Sequence, residues 1–293
     1  MIHTRVHPLS EVLLLRQSFF GLPWMIAGGL LPIAMYDAYS WSRPWWTWAL
    51  MIVAFMAARL AGMCLNRLID HEIDAKNPRT ALRALPRGAL SRRQVVLYAA
   101  GFLCIFYGAA YAINTSCFVL SLPVSILLLA YSFTKRITAL CHFVLGLIQC
   151  IVPMAASIAI TGAVSPESLF LGLSLGSAIA ANDCIYALQD MHFDRQEGLY
   201  SIPARYGEAN THRIVRLLHL LSCCSLIMVG VVGGFSWLYF TGVIVYAGIL
   251  LRMHKALHNN VFKINELFAF TNTATGVVVL ASVIGEGVWR MWW

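Results

Sequence analysis

Long apolar segments follow one another along almost the whole chain and are separated by short polar ones. Each is close to the length of about 20 residues that an α-helix needs to cross the hydrocarbon core of a bilayer. The pattern predicts nine membrane-spanning helices, at residues 19–38, 45–65, 95–113, 117–133, 139–161, 168–188, 216–235, 236–252 and 268–285. We therefore predict an all-α polytopic membrane protein, with residues 1–293 forming a single domain.

The composition supports this fold class. Hydrophobic residues make up 59% of the chain and charged residues 12%, whereas soluble domains average about 25% charged residues. The net charge of +8 could suggest a nucleic-acid partner. We exclude that partner because the basic residues follow the predicted membrane topology and no soluble basic segment remains.

The basic residues are concentrated in alternate loops. The N-terminal segment and the loops after the second, fourth, sixth and eighth spans hold 18 of the 21 Lys and Arg residues. The positive-inside rule places these segments in the cytoplasm. The pattern thus predicts a protein of the bacterial plasma (inner) membrane, with its N-terminus inside and its C-terminus outside.

Two acidic motifs stand at ends of predicted spans. Residues 66–74 read NRLIDHEID, and residues 186–194 read YALQDMHFD. Positions four apart share a helix face, so Asn66, Asp70 and Asp74 form one polar stripe, which Arg59 approximately shares. An ionised carboxylate facing lipid costs about 3 kcal/mol, so this stripe should face protein or water.

The second motif repeats the arrangement. Asp183, Asp190 and Asp194 share a face, and Tyr186 joins them. If the two stripes are opposed, their carboxylates need compensating cations. Mg²⁺ binds carboxylate oxygens and keeps waters and substrate phosphates as its other ligands. We therefore expect a Mg²⁺–diphosphate site at the cytoplasmic end of the bundle, suited to a diphosphate with a membrane-soluble tail.

These motifs resemble those of the UbiA superfamily of intramembrane prenyltransferases. NRLIDHEID is similar to its N-x-x-x-D-x-x-x-D motif, DCIYALQDMHFD (183–194) to its second motif, and YSFTKRITALCHFVLGL (131–147) to a third block. The resemblance implies a helical bundle around a central cavity open to lipid, with cytoplasmic cap loops. It also implies Mg²⁺-dependent transfer of a polyprenyl chain from polyprenyl diphosphate to a ring carbon of an aromatic acid, with no obligatory protein partner.

The resemblance also implies roles for individual residues. Asp70, Asp74, Asp190 and Asp194 would bind Mg²⁺, and Asp70, Asp190 and Tyr186 would act in catalysis. The ring proton would pass to Asp190 or to the departing diphosphate. The remaining substrate-binding residues would be Asn66, Asp183, Lys135 and Arg136 on the diphosphate side, and Arg59 for an acceptor carboxylate.

One departure from the family motif bears on which aromatic acid is the acceptor. Members that use 4-hydroxybenzoate often have Asp directly after the motif's Asn, where this chain has Arg67. NRLIDHEIDAKNPRT resembles the branch that prenylates a dihydroxynaphthoate acid on the futalosine route to menaquinone. The expected acceptor is a 4-hydroxybenzoate-type or dihydroxynaphthoate-type acid in ubiquinone or menaquinone biosynthesis. The alternatives are haem-type or chlorophyll-type prenylation, or a cation transporter, which would place its acids near mid-span.

Overall fold

The computed structural model describes residues 8–35, 44–258 and 264–292. Within these ranges the chain forms α-helices and short 3-10 segments and contains no β-strand. The helices are α1 Pro8–Leu13, α2 Leu15–Ser18, α3 Leu22–Met35, α4 Trp45–Ile69, α5 His71–Lys76, α6 Arg92–Ile113, α7 Thr115–Thr134, α8 Cys141–Thr161, α9 Pro166–Ala187, α10 Met191–Gln196, α11 Ile202–Gly233, α12 Trp237–His258 and α13 Ile264–Trp292.

Eight helical segments in the described ranges are long and apolar enough to cross a membrane. They correspond to the second to ninth predicted spans, which confirms the all-α membrane fold class. The first predicted span, 19–38, contains α3, which has 14 residues and would rise only about 21 Å at about 1.5 Å per residue. Residues 36–38 lie outside the described residues, so the count of nine stays a prediction.

Serine side chains cap the starts of two helices. Ser91 forms a capping box with Gln94 at the start of α6. The side chain of Ser201 accepts the backbone N–H of Ala204 at the start of α11. The span predicted from residue 216 begins within α11, after a polar first part that is interrupted by non-helical backbone at Gly207 (φ 76°, ψ 171°).

The helices form two compact units. Among the described residues, one is built from 8–19 and 50–133, and the other from 20–35, 44–49, 134–258 and 264–292. In the first unit, α1, α4 and α6 share a core that includes Val12, Cys64 and Val95. In the second unit, α9 packs against α8 and α11, and α13 packs against α12 and α3. The single-domain prediction is not tested by this division into units.

Small residues bring the backbones of α8 and α9 together in the second unit. A Cβ atom added at Gly176 would lie 2.6 Å from the carbonyl oxygen of Gly146, and one added at Gly172 would lie 2.3 Å from that of Cys150. Contacts this short exclude any side chain, so glycine is required for this approach. Close approach at small residues is how helices commonly pack in membranes, where no hydrophobic effect drives them together.

Candidate active site

Each acidic motif contains a bend in the backbone, and the two bends are of the same kind. Helix α4 ends at Ile69, and Asp70 (φ −86°, ψ 3°) leads into the six-residue helix α5. Helix α9 ends at Ala187, a 3-10 turn covers 188–190, and Asp190 (φ −102°, ψ 2°) leads into the six-residue helix α10. Both Asp residues adopt the sparsely populated bridge region, which active-site residues often occupy. The continuous helical stripe expected for each motif was wrong, because each helix breaks at its first motif Asp.

The bend nevertheless keeps the first motif's side chains together. The backbone N–H of Asp70 donates to the carbonyl of Asn66 at 2.9 Å, and that of Asp74 donates to the carbonyl of Asp70 at 2.7 Å. The side-chain amide of Asn66 donates to Oδ2 of Asp70 at 2.9 Å and to the hydroxyl of Ser132 at 3.4 Å. Asn66 therefore orients the Asp70 carboxylate, which is buried.

Asp74 is bound by two arginines that the motif did not indicate. Nη1 of Arg83 lies 2.8 Å from Oδ1 and 2.9 Å from Oδ2 of Asp74, and Nη1 of Arg67 lies 3.6 Å from Oδ2. Asp74 and Arg67 are 5% and 6% exposed. The buried charge of Arg67 is thus paired with an acid, as burial of a charge requires, and the half-buried Arg83 binds the same carboxylate.

The second motif lies near Lys135. The Asp194 carboxylate interacts with the Ser201 side chain, with Asp190 and with Lys135. The carbonyl of Lys135 accepts the backbone N–H of Tyr200 at 2.7 Å. Asp190, Asp194 and Lys135 are half-buried, whereas Arg136 is exposed. A cation therefore lies within electrostatic range of the acidic pair, as binding of an anionic metal–phosphate group requires.

The carboxylate of Asp183 contacts a histidine rather than the other acids of its motif. Oδ2 of Asp183 lies 2.7 Å from Nδ1 of His142, which is 3% exposed. Nε2 of His142 accepts the backbone N–H of Ile202 at 3.3 Å. Sequence reasoning missed His142, because a lone histidine at the start of an apolar helix has no recognisable spacing. Asp183's expected role on the diphosphate side stays a prediction.

The two remaining site residues lie on the long helices. Tyr186 stands one turn before Asp190, and its ring packs against Phe268 with the centroids 5.2 Å apart. Arg59 is half-buried within α4. Neither position contradicts the role expected for it, and neither role is tested by the geometry.

The donor set fits a hard divalent cation. Each motif provides two carboxylates, and within the described ranges no group of three or more His, Cys, Asp or Glu residues is arranged to hold an ion. Protein sites for Mg²⁺ commonly use one or two carboxylates and leave the remaining positions to water and substrate phosphates. Two carboxylates per motif match that pattern.

The sequence matches the UbiA prenyltransferase family over residues 22–286. This chain belongs to that family. It is 30% identical to the 4-hydroxybenzoate octaprenyltransferase of Aliivibrio fischeri, with 83% of this chain and 81% of that protein covered. It is 26% identical to the 4-hydroxybenzoate octaprenyltransferase of Neisseria meningitidis serogroup B, with 95% and 90% covered. The predictions of the family and of a prenyl-transferring enzyme are thereby confirmed.

Solved structures of UbiA homologues share the fold. The apo structure of a homologue from Aeropyrum pernix K1 has a TM-score of 0.81 and 27% identity, and covers 92% of this chain and 98% of that one. The structure of a homologue from Archaeoglobus fulgidus bound to GPP and Mg²⁺ has a TM-score of 0.67 and 18% identity, with 96% and 99% covered. These neighbours and the eight apolar helices establish this UbiA-family chain as an integral membrane protein.

Proposed function

We propose that this protein transfers a polyprenyl group from polyprenyl diphosphate to a ring carbon of an aromatic acid, in a Mg²⁺-dependent reaction of quinone biosynthesis. The observation that carries the proposal is the matched construction of the two acidic motifs, each with an Asp at a helix bend and a second Asp four residues later. Two relatives named as 4-hydroxybenzoate octaprenyltransferases and the GPP- and Mg²⁺-bound homologue support it.

The four motif carboxylates, Asp70, Asp74, Asp190 and Asp194, are the proposed ligands of the metal and its diphosphate. When bound, Mg²⁺ would neutralise the charge that builds on the leaving diphosphate. Asn66 orients Asp70 for this role, as its 2.9 Å hydrogen bond indicates. Lys135 and Arg136 complete the proposed set that contacts the diphosphate. Asp183, whose carboxylate lies 2.7 Å from His142, is proposed to support that set without contacting the diphosphate.

The reaction is an electrophilic aromatic substitution. The allylic C–O bond of the donor breaks, and its electron pair leaves with the diphosphate oxygen. A ring carbon of the acceptor attacks the allylic cation, so that a C–C bond forms, and the ring proton passes to Asp190 or to the diphosphate. Tyr186, one turn before Asp190, is the proposed residue that helps to orient the donor. Holding the ring close to the cation favours its capture by carbon over water.

The proposed acceptor is an aromatic acid, either 4-hydroxybenzoate-type or dihydroxynaphthoate-type, whose carboxylate binds Arg59. Arg59 is half-buried within α4, and a guanidinium can bind a carboxylate through charge-assisted hydrogen bonds. Both acceptor classes carry a carboxylate. Arg67, where 4-hydroxybenzoate enzymes often have Asp, lies 3.6 Å from Asp74. The presence of Arg rather than Asp at position 67 supports the proposal that the acceptor is of the dihydroxynaphthoate type.

The protein is proposed to lie in the bacterial inner membrane with its active site facing the cytoplasm. The concentration of 18 of the 21 Lys and Arg residues in alternate segments supports this orientation. The activity is tested with purified protein, Mg²⁺, a labelled polyprenyl diphosphate and a panel of aromatic acids, with products identified by mass. We expect a C-prenylated acid. Release of free prenyl alcohol alone, with every acceptor, would contradict the proposal.

A further inference from the structure

The buried imidazole of His142 links two elements of the second unit. Nδ1 lies 2.7 Å from Oδ2 of Asp183 on α9, and Nε2 lies 3.3 Å from the backbone nitrogen of Ile202. A backbone N–H can only donate, so Nε2 must hold a lone pair and Nδ1 must carry the proton. Asp183 therefore fixes both the tautomer and the ring orientation of His142, and His142 in turn binds the first residue of α11.

The segment that His142 binds, residues 199–202, also contacts the candidate site. The backbone N–H of Leu199 donates to the Asp194 carbonyl at 2.8 Å, and the Ser201 side chain interacts with the Asp194 carboxylate. The backbone N–H of Tyr200 donates to the Lys135 carbonyl at 2.7 Å. The 199–202 segment is thus hydrogen-bonded both to Asp194 and to Lys135.

The hydrogen bond from the Ile202 backbone N–H to His142 anchors this segment. The first N–H groups of a helix have no partner within the helix, and in α11 the Ser201 side chain takes that of Ala204. His142 takes that of Ile202, which is 1% exposed. A buried N–H left without a partner is costly, so loss of the imidazole should displace the segment rather than leave it in place.

We propose that His142 and Asp183 form a positioning pair that holds the 199–202 segment, and through it the Asp194 carboxylate, in register with Lys135. Asp183 then acts on the donor site through His142 rather than by binding diphosphate itself. His142 touches no reacting atom and is a positioning residue. A test of this pair by enzyme activity rests on the proposed prenyl transfer. A test by the hydrogen exchange of residues 199–202 does not.

The test compares His142→Ala, His142→Gln and Asp183→Asn with wild type. The rate of backbone amide hydrogen exchange measures how firmly residues 199–202 are held. The Mg²⁺ concentration for half-maximal turnover measures how well the candidate site binds the metal. For His142→Ala we expect exchange at these amides and the half-maximal Mg²⁺ concentration each to rise about 10-fold. The value of kcat at saturating Mg²⁺ and donor should change less, because Asp194 itself remains.

The variants His142→Gln and Asp183→Asn show whether His142 acts by positioning the 199–202 segment or only by filling space in the protein interior. The amide oxygen of glutamine can reach the place of Nε2 and accept the Ile202 N–H, so His142→Gln should recover most of the exchange protection. Asp183→Asn keeps a neutral acceptor for Nδ1–H and should fall between wild type and His142→Ala. If His142→Ala does not purify, these two variants carry the test.

A matched control is His219→Ala. His219 is also buried at 3% exposure, but it bonds to His254 and lies outside the candidate site. This variant should leave the exchange of residues 199–202 and the Mg²⁺ requirement unchanged. The proposal is overturned if His142→Ala matches wild type in exchange, or if it matches His219→Ala in Mg²⁺ requirement. Absence of prenyl transfer in wild type would refute the proposed function, while the exchange measurement would still test the positioning pair.

Discussion

Nη1 of Arg83 lies within 2.9 Å of both carboxylate oxygens of Asp74. Both oxygens of this motif acid therefore accept from the same arginine. Charge-assisted hydrogen bonds of this kind are about twice as strong as neutral ones. Arg83 consequently fixes where the second acid of the first motif points.

Removing this contact should impair use of the donor. Arg83→Ala breaks a hydrogen bond to a charged group worth about 1.5–3 kcal/mol, so kcat/KM for the prenyl diphosphate should fall about 10- to 150-fold. Arg83→Lys should recover part of the loss. Arg87→Ala is the control in the same loop, because its bridge to Glu11 is exposed and its loss should change kcat/KM less than about twofold. Equal effects of the Arg83 and Arg87 substitutions would count against the role of Arg83.

The glycine contact between α8 and α9 should be sensitive to a single methyl group. In Gly176→Ala the new Cβ would lie 2.6 Å from the Gly146 carbonyl oxygen, so the helices must separate and the melting temperature in detergent should fall. A Cβ atom added at Gly248 on α12 would meet nothing within 4 Å, and Gly248→Ala should leave the melting temperature unchanged or raise it through helix propensity. Indistinguishable melting temperatures for the two variants would refute the packing argument.

The proposed orientation can be tested by labelling. Ala75 and Gly198 are both exposed, one after each acidic pair. A single Cys at either position, in a background from which the eight native cysteines have been removed, should react with an impermeant thiol reagent only from the cytoplasmic side. Reaction from the outer side in intact cells would reverse the topology.

The role of Arg59 can be separated from that of the acidic motifs by kinetics. If Arg59 binds the acceptor carboxylate, Arg59→Ala should raise the acceptor KM about 10- to 150-fold, the range expected for a lost charge-assisted bond. The KM for prenyl diphosphate should change little. If Arg59 only balances the charge of the motif acids, the Mg²⁺ and donor dependence should change first. An acceptor KM within about twofold of wild type would exclude the carboxylate role.

Eight of the nine spans were predictable, because long apolar segments of a chain are the ones that can face lipid. Both acidic motifs were also recognisable, because an Asp pair at a span end is rare in an apolar chain. The bends at Asp70 and Asp190 were not predictable, since the spacing of four is the same in a continuous helix and in a helix that breaks and resumes.

The partners of the motif acids were also missed for physical reasons. Arg83 is one of seven basic residues that the sequence places after the second span. Nothing in its position along the chain distinguishes it from the others as the residue that binds Asp74. Hydrogen bonds between a side chain and distant backbone, such as that of His142 with Ile202, depend on tertiary packing and have no sequence pattern.

The central claim is that the two acidic motifs support a Mg²⁺-dependent prenyl transfer. It is tested most directly by product formation from labelled polyprenyl diphosphate and an aromatic acid, with Mg²⁺ or with a chelator, in wild type, Asp70→Asn, Asp190→Asn and Glu72→Gln. Glu72 is an exposed neighbour of the first motif and serves as the control. The account predicts a loss of at least about 100-fold in chelator and in both Asp variants, with Glu72→Gln near wild type. Activity that survives the chelator, or near-normal turnover in both Asp variants, would contradict it.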